Sequence, residues 1–307
     1  MKIAIIGSGM AGLACAARLT RSGLRPTVYD KGRGLGGRMA TRRAEGGFQF
    51  DHGAQVIQSE DSAFCDLVEG AKGSGYVADW RMGDGLIKAV GIPGMTALAK
   101  YLAQGVDLHQ QTEITSVTQK DTGWEVTSDL SLGRFDRVVC TAPAPQTSKL
   151  VGSALSVPLD SAVYMPSLTL MVALHRTLDA PDTQTNPTHA LAWIAHDSAK
   201  PGRPSQNCWV AQATADWSAR HLELSKDEIA TVMLDLFLRH HGLDASDVAY
   251  ATAHRWRYAL VTDPLGQPFV KSPDGSLYAG GDWCLGPRIE HAWQSGTAIA
   301  EDILRSI

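Results

Sequence analysis

Cysteine is scarce in this chain of 307 residues, and its five positions build nothing. Cys15, Cys65, Cys140, Cys208 and Cys284 are odd in number, scattered, and never spaced C-x-x-C. That excludes a disulfide framework and a zinc site made from cysteine pairs, and points to a reducing compartment. Excess positive charge is also missing. The formal net charge is −4, so no basic field draws the chain to nucleic acid or an anionic membrane. The only local basic cluster is Lys31, Arg33, Arg38, Arg42 and Arg43, too short for a polyanion-binding arm. No run of about 18 apolar residues occurs, which excludes a membrane span. There is no G-x-S-x-G elbow, no H-E-x-x-H and no Walker loop. No metal is expected. What remains is a soluble, cytoplasmic protein large enough for a substantial core. The lysine, apolar run and "ACA" at the N-terminus imitate a signal peptide, but Gly7, Gly9 and Gly12 interrupt the run.

Those glycines belong to a different pattern. "KIAIIG" reads as a buried parallel strand, "GSGMAG" as a tight turn, and the alanine-rich stretch to Arg21 as a helix closed by Gly23. "PTVYD" restores a strand that ends at Asp30, completing a βαβ unit. Within G-x-G-x-x-G, Gly7 permits the turn, Gly9 lets backbone N–H groups approach a pyrophosphate, and Gly12 lets helix pack on strand. Asp30, 18 residues after Gly12, is placed to accept hydrogen bonds from ribose hydroxyls. This unit presents ADP equally well from FAD or NAD.

The next segment separates the two. "KGRGLGGRMATRR" runs straight out of the second strand, where a nicotinamide enzyme would normally enter another crossover helix. Gly36 and Gly37 allow close passage over something flat or phosphorylated, and Arg38 supplies a neutralising charge; a flexible basic loop is the bland alternative. "FDHGAQ" then sets Asp51, His52, Gly53, Ala54 and Gln55 at a strand-to-loop transition, where His52 alone reads as structural. Short strands fill 91–143, after a helix in "GMTALAKYLAQG". The stretch 151–269 mixes strands with Pro-rich loops and one helix, with a capping box at Ser225 and Glu228 and an end at Gly242. "SLYAGGD" returns to an apolar strand, followed by a helix over about 291–305. The order fits an α/β dinucleotide-type sheet completed by the last segment, with a second domain inserted; two consecutive domains are the alternative.

Five segments in order, "DKGRGLGGRMATRR", "FDHGAQ", "GIPGMTALAKYLA", "HRWRYA" and "AGGDWCLGPRIEHAWQSG", resemble the flavin-dependent amine oxidase superfamily, most of all its bacterial renalase-like branch. The resemblance spans the chain. It implies a Rossmann-like FAD-binding domain (1–62, 91–150 and 270–307) with a discontinuous α+β substrate domain on a mixed sheet (63–90 and 151–269). It implies non-covalent FAD that takes a hydride at N5 and passes the electrons to oxygen, giving hydrogen peroxide. It implies a small-molecule substrate, a reduced NAD(P) isomer, since renalases oxidise misreduced NAD(P)H rather than amines. By the same resemblance Gly7, Ser8, Gly9, Met10, Ala11, Gly12, Asp30 and Lys31 hold the ADP half. Gly36, Gly37 and Arg38 cover the pyrophosphate, Ile114 lies near the adenine, and Gly281 and Asp282 meet the ribityl chain. His52, Gly53, Ala54 and Glu290 complete the cofactor set, the helix near Glu290 aiming its N-terminus at the flavin. A Cys284–flavin bond is not expected, because the surrounding motif differs.

On the substrate side the expected residues are Gln55, Arg255, Trp256 and Trp283. Period-two alternation puts Arg255 and Arg257 on one face of a strand and His254, Trp256 and Tyr258 on the other. Either set can line a pocket, or the aromatics can be core and the arginines solvated; Trp283 is pocket wall or packing. A catalytic lysine has no clear position, Lys271 in "VKSPDG" being the nearest candidate, which weakens an amine substrate. An amine or carotenoid-type substrate is the same-class alternative. A non-catalytic dinucleotide-binding regulator is the different-class one.

Overall fold

The computed structural model describes residues 1–155 and 159–307, with the Asp160 side chain left aside. Its first sheet has six strands in the order β17 (Val270–Lys271), β18 (Leu277–Ala279), β11 (Arg137–Cys140), β1 (Ile3–Ile6), β2 (Thr27–Tyr29) and β7 (Asp107–His109). All neighbours are parallel except the β17 edge, so this sheet is where the two strand directions mix. The last strand segment thus completes the sheet begun by the first.

Apolar runs suit these strands because both faces are buried. Ile3 and Ile5 turn toward α1 (Met10–Arg21) and α7 (Ile289–Arg305), joining Leu19, Val28, Tyr278, Ile299 and Ile303. Ala4 and Ile6 turn the other way. There they meet Trp124, Val126 and Phe135 from the antiparallel sheet β8 (Ser116–Lys120), β9 (Gly123–Thr127) and β10 (Ser131–Phe135), and Val151 from α4 (Ala144–Val151). A third cluster joins Met10 and Leu13 of α1 to α2 (Ser62–Gly73), the hairpin β5 (Val77–Arg81) and β6 (Ile87–Gly91), and α3 (Thr96–Leu102).

The second sheet runs β13 (Thr183–Thr185), β14 (Leu191–His196), β15 (Cys208–Ala213), β12 (Val163–Leu174) and β16 (Val248–Asp263), every pairing antiparallel. One face is covered by α5 (Ala215–Arg220) and α6 (Lys226–His241), whose Ile229, Met233 and Phe237 pack on Leu170, Val172 and Trp209. The capping box of Ser225 and Glu228 is formed, and Gly242 closes α6 in the left-handed region at φ 62°. The other face takes Phe50 from the ribbon β3 (Thr41–Arg43) and β4 (Gln49–Asp51). Among the described residues, no helix is long and apolar enough to cross a membrane.

Candidate functional site

The turn between β1 and α1 has the shape that the glycine pattern requires. Gly7 sits at φ +108°, where a side chain is strained, and a Cβ on Gly12 would lie 1.9 Å from the Gly7 carbonyl oxygen. A Cβ on Gly9 would meet nothing within 4 Å, so this glycine faces open space. No side chain caps α1 and no acid sits in its first turn. The uncapped N–H groups at Met10, Ala11 and Gly12 therefore suit an anion. Ser8 turns inward, its N–H and hydroxyl donating to Asp30 at 2.6 and 2.8 Å, while Gly32 N–H donates to the other Asp30 oxygen. The acid at the end of β2 is thereby fixed beside the turn.

The second glycine loop folds back onto the first. Gly36 N–H donates to the Ser8 carbonyl at 2.9 Å, and Gly9 and Gly36 form a parallel bridge. Gly36 and Gly37 both have positive φ, and a Cβ on Gly37 would point at Gly9. The two glycine turns thus lie against each other, with Gly9 open on the side where a Cβ would stand. Thr112 N–H donates to the Asp30 carbonyl, bringing the segment of Ile114 alongside, although the Ile114 side chain itself is buried with Tyr29 and Trp124. Lys31 points outward to Glu113 at 3.9 Å.

Arg38 and Asp282, expected on different parts of one ligand, hold each other. The guanidinium is bidentate to the carboxylate at 2.6 and 2.5 Å and donates also to the Ala259 carbonyl. Burial disfavours the guanidinium charge, but the Asp282 carboxylate outweighs it and keeps Arg38 protonated. Gly281 N–H donates to Ser295 of α7, which ties the residue before Asp282 to that helix. Asp282→Ala is expected to strand the half-buried guanidinium. We expect a loss of roughly 1–3 kcal/mol, less than for a fully enclosed pair because a third of Arg38 is solvated. Flavin retained per protein after desalting should fall together with the melting temperature, and unchanged retention would remove the residue from the cofactor site.

Segment 52–55 connects Arg38 to β16. Ala54 N–H donates to the Arg38 carbonyl at 2.8 Å, and a Cβ on Gly53 would sit 1.9 Å from that carbonyl oxygen. Trp256 Nε1–H donates to the His52 carbonyl at 2.7 Å, and the indole stacks on the His52 ring at 5.4 Å. His254 meets both rings edge-on, at 4.8 and 4.2 Å. Burial, the neighbouring imidazole and Arg42 push His52 down to about 3; burial, Arg42 and Lys226 push His254 down to about 4. At neutral pH this strip is therefore aromatic and uncharged. His52 Nδ1 is buried and has no hydrogen-bond partner among the described residues.

These depressed values, with His241 at about 4, make a pH prediction. Below the ordinary value near 6.5 the unfolded chain takes up protons that the folded chain refuses. Stability is full above about pH 6.5 and should fall as pH drops toward 4, by about 1.4 kcal/mol per pH unit for each histidine engaged. Urea unfolding at pH 7 and pH 5 measures this, and His254→Gln should flatten the slope. A pH-independent midpoint over that range would contradict it.

Several expected residues lie elsewhere. Arg255 donates to the Leu222 carbonyl and Arg257 pairs with Glu223, so both arginines project away from Trp256 toward the loop before α6. Arg255 is therefore removed from the substrate candidates. Trp283 is fully buried and donates to the Ala142 carbonyl within the core beneath the sheet; it is packing, not a pocket wall. Glu290 is 2% exposed and accepts from the N–H groups of Glu60 and Asp61, so it pins α7 to the loop before α2. Gln55 spends its amide on Lys200 and on the carbonyls of Asp51 and Gly53. Its place is behind the site, not in it. Lys271 pairs with Asp302 on the surface. The Cys284 thiol is buried and pushed up to about 12, unsuited to nucleophilic attack.

Sequence reasoning missed Tyr164, which is edge-on to Tyr258 at 5.5 Å and accepts from Ala144 N–H; it lies in the field of Arg38 and Asp282. It also missed Asp197, Lys200 and Arg203. The only signal for them was a charged "DSAKPGR" loop with a Pro-Gly turn.

Comparison with known proteins bears on family and fold. Residues 5–69 match the model of an NAD(P)-binding Rossmann-like domain. Residues 62–304 match that of the flavin containing amine oxidoreductases. The chain is similar to a 4,4'-diapophytoene desaturase (4,4'-diaponeurosporene-forming) of Staphylococcus aureus, 43% identical over 61 residues, or 20% of this chain and 12% of that one. Among solved structures it is similar to a candidate protoporphyrinogen oxidase of Exiguobacterium sp. 255-15, with TM-score 0.79 and 13% identity, covering 100% of this chain and 99% of the other. It is also similar to a putrescine oxidase solved with putrescine bound, with TM-score 0.74 and 13% identity over 99% of each chain. Identities this low speak for the fold alone. With that family model matched over well more than half of this chain, the chain belongs to the flavin-containing amine oxidoreductases.

Proposed function

We propose that this enzyme is a renalase-like oxidase of reduced nicotinamide-type substrates, with oxygen as the oxidant. The observation that carries this reading is the strip of Trp256, His52 and His254. Half-buried Trp256 and His254, with the buried His52 ring stacked on the indole, offer a flat, uncharged surface beside Arg42, rather than a carboxylate that would attract a protonated amine. The nearby carboxylates are already engaged: Asp282 by Arg38, and Asp51 by Lys200 and Arg203. When bound, FAD supplies the hydride acceptor at N5 and returns the electrons to oxygen as hydrogen peroxide. The protein's part is placement. The α1 N-terminus and Gly9 receive the pyrophosphate, the Arg38–Asp282 pair anchors the middle of the ligand, and Trp256 orders the substrate ring. Such a reaction needs alignment more than a general base. We place the protein in the cytoplasm, with FAD held non-covalently.

A second reading is a desaturase-type reaction on an apolar substrate. It is favoured by Val163, Met165 and Leu260, which expose apolar side chains together where β12 and β16 pair. Anaerobic mixing decides between the two. The flavin should bleach with isomeric reduced nicotinamide dinucleotides and not with NADH, putrescine or a polyene in detergent. Bleaching by the amine or the polyene alone overturns the first reading, and bleaching by nothing favours a non-catalytic binding protein.

A further inference from the structure

Behind the 52–55 segment lie four charged side chains that the cofactor site does not use. Asp51, Asp197, Lys200 and Arg203 expose at most 1% of their side chains. Asp51 ends β4, while the other three come from the loop between β14 and β15, so the group spans both halves of the molecule. Lys200 Nζ aims its three donors at Asp197 (2.6 Å), Gln55 Oε1 (3.1 Å) and Asp51 (3.5 Å). Arg203 reaches the same Asp51 oxygen at 2.5 Å. Two cations balance two anions. Burying such a group is expensive, and apolar side chains of the same volume often stabilise a fold as well or better. Its distinctive property is direction.

That direction can be followed bond by bond. With its oxygen taken by Lys200, the Gln55 amide must present Nε2 to the carbonyls of Asp51 (2.5 Å) and Gly53 (3.0 Å). Gln212 of β15 donates to the same Gly53 carbonyl. The two residues flanking this anchor touch the site: Ala54 N–H holds the Arg38 carbonyl, and the His52 carbonyl holds the Trp256 indole. We propose that Lys200 is a positioning residue of the flavin site: clamped between Asp197 and Asp51, it orients Gln55 and so sets where Arg38 and Trp256 stand. The role given to Trp256 rests on the proposed function.

The test compares wild-type holoprotein with Lys200→Met/Asp197→Asn, which removes one charge of each sign and keeps the volume. Readouts are melting temperature, flavin content, visible circular dichroism of the bound oxidised flavin, and anaerobic reduction by isomeric reduced nicotinamide dinucleotides. The proposal expects retained flavin and a melting temperature near wild type, with an altered flavin dichroism. The limiting reduction rate should fall on the order of tenfold or more, with half-saturation little changed. Wild-type dichroism in a folded variant overturns it. Should the double variant not fold, Gln55→Met leaves all four charges in place and decides instead: altered dichroism supports the relay, and a wild-type spectrum ends it. Failure of those dinucleotides to reduce the wild type would sink the proposed substrate class, while the dichroism comparison would still judge Lys200.

Discussion

Asp51→Ala is expected to destabilise the protein by about 3–5 kcal/mol, the range for removing one partner from a fully buried ion group. The carboxylate satisfies four neighbours. One oxygen accepts from Met95 N–H at 2.9 Å and the Thr41 hydroxyl at 2.6 Å; the other faces Arg203 and Lys200. Alanine leaves two buried cations with Asp197 alone, and an orphaned N–H at the start of α3. Against a typical total of about 5–15 kcal/mol, that is a large fraction. Asp51→Asn keeps the oxygen that serves Met95 and Thr41 but loses the charge, so it should fall between alanine and wild type. Urea midpoints order the three proteins, and an alanine variant matching wild type would show that the charges do not depend on one another. The pH behaviour follows. Burial works to raise the Asp51 carboxyl, but Lys200 and Arg203 overcome it and hold it below the usual carboxylate range. Its stabilisation is present above the unfolded value near 4 and is lost as pH falls further, through the folded value. That window opens near pH 4, where the loss set by His241 and His254 is ending and only that of His52 continues.

The difference between what could be read in the chain and what could not lies in the span of each interaction. The β1–α1–β2 unit announces itself within 30 residues, because glycine geometry, apolar strands and helix periodicity are all local. The α6 cap at Ser225 and Glu228 is equally local, with donor and acceptor three positions apart. Alternation along β16 correctly divides its side chains into two sets. Which set meets the 52–55 segment depends on Glu223 and Leu222 taking the arginines and His52 taking Trp256, the last pair 204 residues apart. Arg255 was misplaced for that reason. Glu290 looks like an ordinary first-turn acid until Glu60 and Asp61, about 230 residues earlier, supply its donors. Lys200 is the extreme case. A lysine beside Pro-Gly reads as a solvated turn, and its burial depends on Asp51 and Gln55, 149 and 145 residues away.

Gly296→Ala should give a protein that loses its flavin, even though alanine is the better helix former. Two effects of opposite sign compete at this position in α7. Helix propensity favours alanine over glycine by about 1 kcal/mol. Against that, a Cβ here would stand 1.9 Å from the carbonyl oxygen of Ala11, where α7 crosses α1. Tolerable contact begins above 3 Å, and the obstacle is backbone, so no rotamer change relieves it. The helices must part by more than an ångström, and overpacking of that kind costs about 1–3 kcal/mol or more. The clash should win. Its consequence is functional because Ala11 belongs to the first turn of α1, which we assign to the pyrophosphate, and because Ser295, next to Gly296, holds Gly281 and hence the approach to Asp282. One methyl group would thus disturb both ends of the cofactor site. Gly73→Ala at the end of α2 is the control: its Cβ would meet nothing within 4 Å, so propensity alone should act and the melting temperature should hold or rise slightly. If Gly296→Ala behaves like the control, with full flavin content and no drop in melting temperature, the close crossing of α1 and α7 does not constrain the site.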